Sequence, residues 1–371
     1  MGERSGALEG LVNPSPDFWR GRSVLITGDT GFKGSWLSLW LNSLGAKVIG
    51  FALAPNTEPS LYRLAFNDHK ERQYSDIRNL DAVCECVKST RPEIVFHMAA
   101  QSLVRPSYQD PVETYATNVM GTVHILEAIR MAESVEAAVV VTSDKCYDNR
   151  EWHWAYRETE PLGGRDPYSN SKACAELVAS AYRASFFETR PRRRCNVATA
   201  RAGNVIGGGD WSRDRLIPDI VRSFGTGESV EIRSPHAIRP WQHVLEPLSG
   251  YIRLAECLAS KEGAAFAEAW NFGPVETDCR PVSDVVDRLA AMWANGARWH
   301  LSDKPHPHEA GFLKVDASKA RTRLGWNSRL DLDMALAWTI NWYQAQLKGE
   351  KAASITVAQI ARYCDLGRSR S

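Results

Sequence analysis

The chain has 371 residues, 44% hydrophobic and 24% charged, a globular composition with room for one large or two medium domains. Forty-five basic against 44 acidic side chains give a net charge of +1, which excludes a global pull toward nucleic acid or an anionic membrane. No apolar run approaches the roughly eighteen residues of a membrane span, the start has no secretory core, and eight scattered cysteines without a CxxC pair point to a reducing cytoplasm and no metal site.

In chain order, residues up to about Asp17 read as a loose leader. Ser23 to Thr27 is a short apolar, β-branched run suited to a buried parallel strand. A glycine-rich turn follows, then a helix whose apolar positions run from Trp36 to Leu44 and which closes at Gly45. Lys47 to Leu53 is the second strand, completing a βαβ unit and hence the start of a parallel sheet. The alternation continues with helix over Ala82–Ser89, strand over Ile94–Met98, a long helix over Pro111–Glu133 and strand over Ala137–Thr142. Helix over Pro167–Phe187 and strand over Asn196–Arg201 complete it, with the basic run Arg190 to Arg194 between them read as a solvated loop. Such alternation predicts a doubly wound, Rossmann-type α/β domain. Beyond Gly203 the pattern breaks into glycine- and proline-rich loops with shorter helices such as Leu216–Phe224. We expect the Rossmann domain over residues 18–203 and about 241–272, and a smaller C-terminal substrate-binding domain over 204–240 and 273–371.

Gly28-Asp29-Thr30-Gly31-Phe32-Lys33-Gly34 lies between a predicted strand and a predicted helix. A tight glycine turn there brings backbone close to a dinucleotide pyrophosphate. The helix N-terminus then offers it free N–H groups and a favourable dipole. The second strand ends in Phe51-Ala52-Leu53-Ala54 with no carboxylate for an adenosine ribose, and Lys33 adds a positive charge, so these residues alone lean toward tolerance of NADP. Asp76, in Tyr74-Ser75-Asp76-Ile77, can reach the adenosine from the next strand end.

Tyr168 and Lys172 stand four apart on one helical face, where an ammonium can stabilise a phenolate and bind a nicotinamide ribose. The preceding strand ends in Thr142-Ser143-Asp144-Lys145, at the edge where open α/β sheets bind ligands. Ser143 can hydrogen-bond a sugar hydroxyl, Asp144 can protonate a leaving hydroxyl, and Lys145 can hold Asp144 ionised or position substrate. A plain capped turn with a solvated lysine would use the same residue types. Cys146 and Cys174 sit nearby and read as small buried hydrophobes rather than nucleophiles.

These motifs, with His97-x-Ala99-Ala100 and Asn118-x-x-Gly121-Thr122, resemble the extended short-chain dehydrogenase/reductase family acting on sugar nucleotides, from about Phe18 to the C-terminus. Gly31 to Trp36, Ser143 to Tyr147, Ala202 to Trp211 and Arg239 to Val244 are similar to its CDP-glucose 4,6-dehydratase branch. The resemblance implies NAD rather than NADP, held by Gly28, Thr30, Gly31, Phe32, Lys33, Gly34, Asp76, Ile77, Ala99, Ala100, Asn118, Tyr168 and Lys172. It further implies a homodimer formed through the two long helices, and a redox-neutral dehydration. C4 is oxidised, water leaves across C5 and C6, and the hydride returns to C6. Ser143, Asp144, Lys145, Tyr168 and Lys172 are its expected catalytic set, with Lys145 the positional candidate for the C5 base. Ser102, Asn204, Arg215, Arg239 and His308 are the expected substrate contacts. A 4-epimerase with the same serine, tyrosine and lysine is the alternative enzyme, and a dinucleotide-binding regulator the alternative outside enzymes.

Overall fold

A computed structural model describes residues 13–66, 73–188, 195–293, 296–303 and 310–368. The run Arg190 to Arg194 and His308 lie outside the described residues.

Six parallel strands form the main sheet in the order β2-β1-β3-β4-β5-β9. They are β1 (Ser23–Thr27), β2 (Lys47–Phe51), β3 (Ile94–His97), β4 (Ala137–Val141), β5 (Asn196–Ala202) and, further along the chain, β9 (Ala269–Phe272). Successive residues of a strand face opposite sides. Val24, Ile26, Phe96, Val139 and Ala200 therefore enter one core, while Leu25, Val95, Val140 and Val197 enter another. Both faces are buried, which is why these strands read as unbroken apolar runs rather than alternating ones. Asn204–Ile206 (β6), Ile238–His243 (β8) and Cys279–Pro281 (β10) form a three-stranded sheet, and Val230–Ile232 (β7) pairs with Trp299–Leu301 (β11). β8 crosses the boundary expected near 241, since Trp241, Gln242 and His243 pair with Asn204, Val205 and Ile206.

Helix boundaries follow local chemistry. Asn79 accepts from the Ala82 N–H at 3.1 Å and starts the helix Leu80–Thr90 two residues before its expected start. The two long helices each contain one wider π turn, at Ala116–Met120 and Arg183–Phe187. The expected loose leader is corrected over its last residues. The Ser15 N–H and the Trp19 indole both donate to the Glu256 carboxylate at 2.8 Å, and Asn13 bonds Cys364 and Arg329. A buried carboxylate needs such donors, and polar composition alone did not show that the core supplies one.

Candidate functional site

A cleft of about 730 Å³ opens beyond the carboxyl ends of β1, β3, β4 and β5 and runs on toward β7 and β8. Its floor is the glycine turn. Gly28 has φ +76°, and a Cβ there would stand 2.7 Å from the Ala99 nitrogen. A Cβ on Gly34 would stand 2.2 Å from the Gly28 carbonyl oxygen. Both contacts are closer than atoms allow, so the turn excludes side chains and leaves bare backbone before the helix Phe32–Ser43. That is the shape a dinucleotide pyrophosphate requires.

Thr30, Phe32, Asp76, Ile77, Ala99 and Ala100 line the same cleft. Asp76 is committed to Arg78, whose guanidinium bonds it at 2.6 Å and holds its carboxyl below the usual range. Two of the expected cofactor residues have protein partners here. Asn118 does not line the cleft: its amide donates to the Gln101 carbonyl and Ser171 hydroxyl and accepts from the Gln101 N–H. These bonds tie the loop after β3 to the helix Pro167–Tyr182. Lys33 points away from the β2 end where a 2′-phosphate would need it. Its ammonium lies 5.8 Å from the Tyr251 ring, within the fields of Lys172 and Asp144. The lean toward NADP therefore loses the charge it drew on and keeps only the missing carboxylate at the end of β2. Burial first, then the charges of Arg215 and Lys172, lower the Lys33 pKa to about 7.

The helix Pro167–Tyr182 begins at Asp166, which accepts from the Ser169 N–H at 2.9 Å, with Pro167 in the first turn. This cap places Tyr168 and Lys172, both buried, against the end of β4. Burial pushes the Tyr168 phenol up to about 12, opposed by hydrogen bonding with Ser143 and the charge of Arg215. Burial lowers Lys172 to about 8, and the Glu176 carboxylate opposes that. The Lys172 ammonium donates to the Val141 carbonyl at 3.3 Å.

Ser143 begins a short turn, accepting from the Lys145 N–H at 3.2 Å and donating to Asp144 Oδ1 at 3.0 Å. The capped turn and the reactive cluster are thus the same residues. Asp144 is buried and its Oδ2 has no partner among the described residues. Burial raises its pKa, against the charges of Lys145, Arg239 and Lys33 and the Ser143 bond. Lys145 lies with its ammonium 6.0 Å from the Tyr168 ring.

At the other end, Arg215 donates to Asp210 at 3.0 Å and to Ser102 at 2.9 Å. Asp210 is fixed in turn by Tyr343, whose hydroxyl donates to its carbonyl at 2.5 Å. Gly208 allows this loop, since a Cβ there would enter the Trp342 ring at 2.0 Å. Asn204 and the buried Arg239 line the cleft as well. Two lining arginines escaped sequence reasoning, Arg105 and Arg233. Both bond Asp214 Oδ1, at 3.0 and 3.2 Å, from segments 128 residues apart (233 − 105), so no local pattern pairs them.

The sequence profile of the GDP-mannose 4,6-dehydratase family matches residues 25–339. The chain is a member of that family. It is 54% identical to the CDP-glucose 4,6-dehydratase of Salmonella typhimurium over 350 residues, covering 94% of this chain and 97% of that one. Its fold resembles MoeE5 in complex with UDP-glucuronic acid and NAD, at 26% identity and a TM-score of 0.72, covering 87% of this chain and 99% of that one. It also resembles the NAD-bound dTDP-glucose 4,6-dehydratase of Bacillus anthracis, at 21% identity and a TM-score of 0.70, covering 90% and 100%. Among the described residues, no helix is long and apolar enough to cross a membrane.

Proposed function

We propose that this family member is an NAD-dependent 4,6-dehydratase that converts CDP-glucose to CDP-4-dehydro-6-deoxyglucose. The observation that carries this reading is the meeting of a phenol, an ammonium, a serine hydroxyl and a buried carboxyl, its pKa raised by that burial, in one cleft. The Salmonella relative, so named and more than half identical, supports the choice of substrate. NAD fits the glycine turn, with Gly28, Gly31, Gly34, Ala99 and Ala100 offering backbone and Lys172 reaching toward the ribose. Bound NAD supplies the hydride acceptor for C4 and the donor for C6, so no net oxidant is consumed.

The protein's own groups handle the protons. Ser143 orients the C4 hydroxyl and Tyr168 takes its proton, aided by the positive charge of Lys172. The resulting ketone acidifies C5–H, and Lys145, beside the acid, is the positional candidate to take that proton. Asp144, whose pKa burial raises, gives its proton to the C6 hydroxyl, which leaves as water. A 4-epimerase needs no acid at C6, which weighs against that alternative. Arg215 and Arg239 suit the substrate diphosphate, with Ser102 and Asn204 toward the sugar. The six-stranded sheet and its helices hold the dinucleotide, and the smaller sheets hold the sugar nucleotide. Val112, Met120 and Leu177, 78%, 46% and 59% exposed on the long helices, suit burial against a second copy. The eight unbridged cysteines suit a reducing cytoplasm.

Incubation with CDP-, dTDP-, GDP- and UDP-glucose tests this directly, read by the alkaline absorbance of the 4-keto product. CDP-glucose is expected to react at least tenfold faster than the others. No product from any of the four would overturn the assignment. The cofactor cradle has its own test in Gly34→Ala, which forces the Gly28 carbonyl out of the turn. NAD affinity, followed by tryptophan fluorescence, is expected to fall at least tenfold, about 1.4 kcal/mol. Unchanged affinity would place the pyrophosphate elsewhere.

A further inference from the structure

The helix that carries Tyr168 and Lys172 carries a third buried residue on the same stripe, Glu176. Its carboxylate accepts from the Thr142 hydroxyl, from Thr199 at 2.7 Å and from the Arg201 guanidinium at 2.7 Å. Arg201 is equally buried and donates on to the Tyr147 hydroxyl at 2.9 Å. Tyr147 in turn donates to Asn271 at 2.7 Å, and Asn271 bonds the Tyr156 and Asp316 carbonyls. Thr142 precedes Ser143-Asp144-Lys145, and Tyr147 follows it by two residues. One ion pair between a helix and β5 therefore grips both ends of the reactive turn, behind the cleft wall.

We infer that the buried Glu176–Arg201 pair is the positioning device of the active site: it fixes the turn Thr142–Tyr147 from both ends and sets a negative charge one helical turn behind Lys172. The inference rests on the dehydratase reading above. A pair kept only for stability is a poor explanation of this geometry, because apolar replacement of a buried ion pair is often neutral or stabilising. Here each partner instead has a second task toward the turn. The charge has a target too: Glu176 opposes the burial that lowers Lys172, and the ammonium form of Lys172 is the one that assists Tyr168.

The test replaces both charges at once, Glu176→Gln with Arg201→Met, so that no buried charge is left unpaired. The reading is the rate of enzyme-bound NADH formation from CDP-glucose across pH 6 to 10, beside kcat and KM. We expect kcat to fall roughly tenfold or more with KM within about twofold. The alkaline limb should move to lower pH by roughly one unit, because Lys172 loses its proton earlier. Glu176→Asp keeps the charge but not the reach, so its limb should stay in place while kcat falls. A folded double variant with unchanged kcat and limb would overturn the inference, as would an Asp variant whose limb moves as far as the double variant's. Should the double variant not fold, Thr142→Val leaves the ion pair intact and releases only the turn. A kcat lowered several-fold at constant KM supports the inference, and an unchanged kcat overturns it. Wild-type protein that forms neither bound NADH nor 4-keto product would instead fail the dehydratase reading, a result visible before any variant is compared.

Discussion

Tyr168→Phe is expected to lower turnover about a thousandfold and to abolish bound NADH formation, while the fold and NAD affinity stay close to wild type. A positioned general base contributes on the order of a hundred- to ten-thousandfold, and the phenylalanine ring fills the same buried space. The phenol's pKa, pushed up to about 12 by burial, shows why it cannot act alone. It can serve as a base near neutral pH only with positive charge beside it: Arg215 already pulls it down across the cleft, and Lys172 stands on the same helical face. Lys172 at about 8 sets the upper edge of the useful range. The rate should therefore rise with pH as the phenol is drawn upon, then fall as the ammonium deprotonates. Single-turnover absorbance at 340 nm checks the variant. Near-normal NADH formation in Tyr168→Phe would remove the base from the mechanism.

The residues legible in the sequence share a common property: their relation is set within one local element. Tyr168 and Lys172 are a helical i,i+4 pair, and the glycine turn is a contiguous strand–turn–helix. Ser143 and Asp144 are adjacent at a strand end. What escaped was set by tertiary packing. Glu176 follows Lys172 by the same four residues, so its helical face was readable, but its partners lie on β5 (Thr199, Arg201) and on the turn after β4 (Thr142). Arg105 and Arg233 meet only because Asp214 stands between them. Asn118 carries a role its motif did not show, since its amide also holds Gln101 and Ser171. The Lys33 charge was visible, yet its direction was not. A side chain in the first helical turn can face the adenosine or the nicotinamide end, and only the docking of that helix against Tyr251 decides.

Asp144→Asn separates the two halves of the reaction. The amide keeps the size of the carboxyl and can still accept from Ser143, so the C4 oxidation should proceed and bound NADH should appear. Asparagine has no proton to give a leaving hydroxyl, so expulsion of water should slow by two to three orders of magnitude, the usual scale for loss of a general acid. The expected signature is a burst of 340 nm absorbance that persists, with little 4-keto-6-deoxy product in alkali. Lys145, Arg239 and Lys33 all favour the carboxylate, yet burial carries the pKa upward, which is the direction an acid needs. In the wild type the acid limb of elimination should extend with little loss to low pH, and the rate should decline as Asp144 ionises on the alkaline side. Were Asp144→Asn to release product at the wild-type rate, the proton for the C6 hydroxyl would have to come from another group, and Lys145 as an ammonium would be the next candidate.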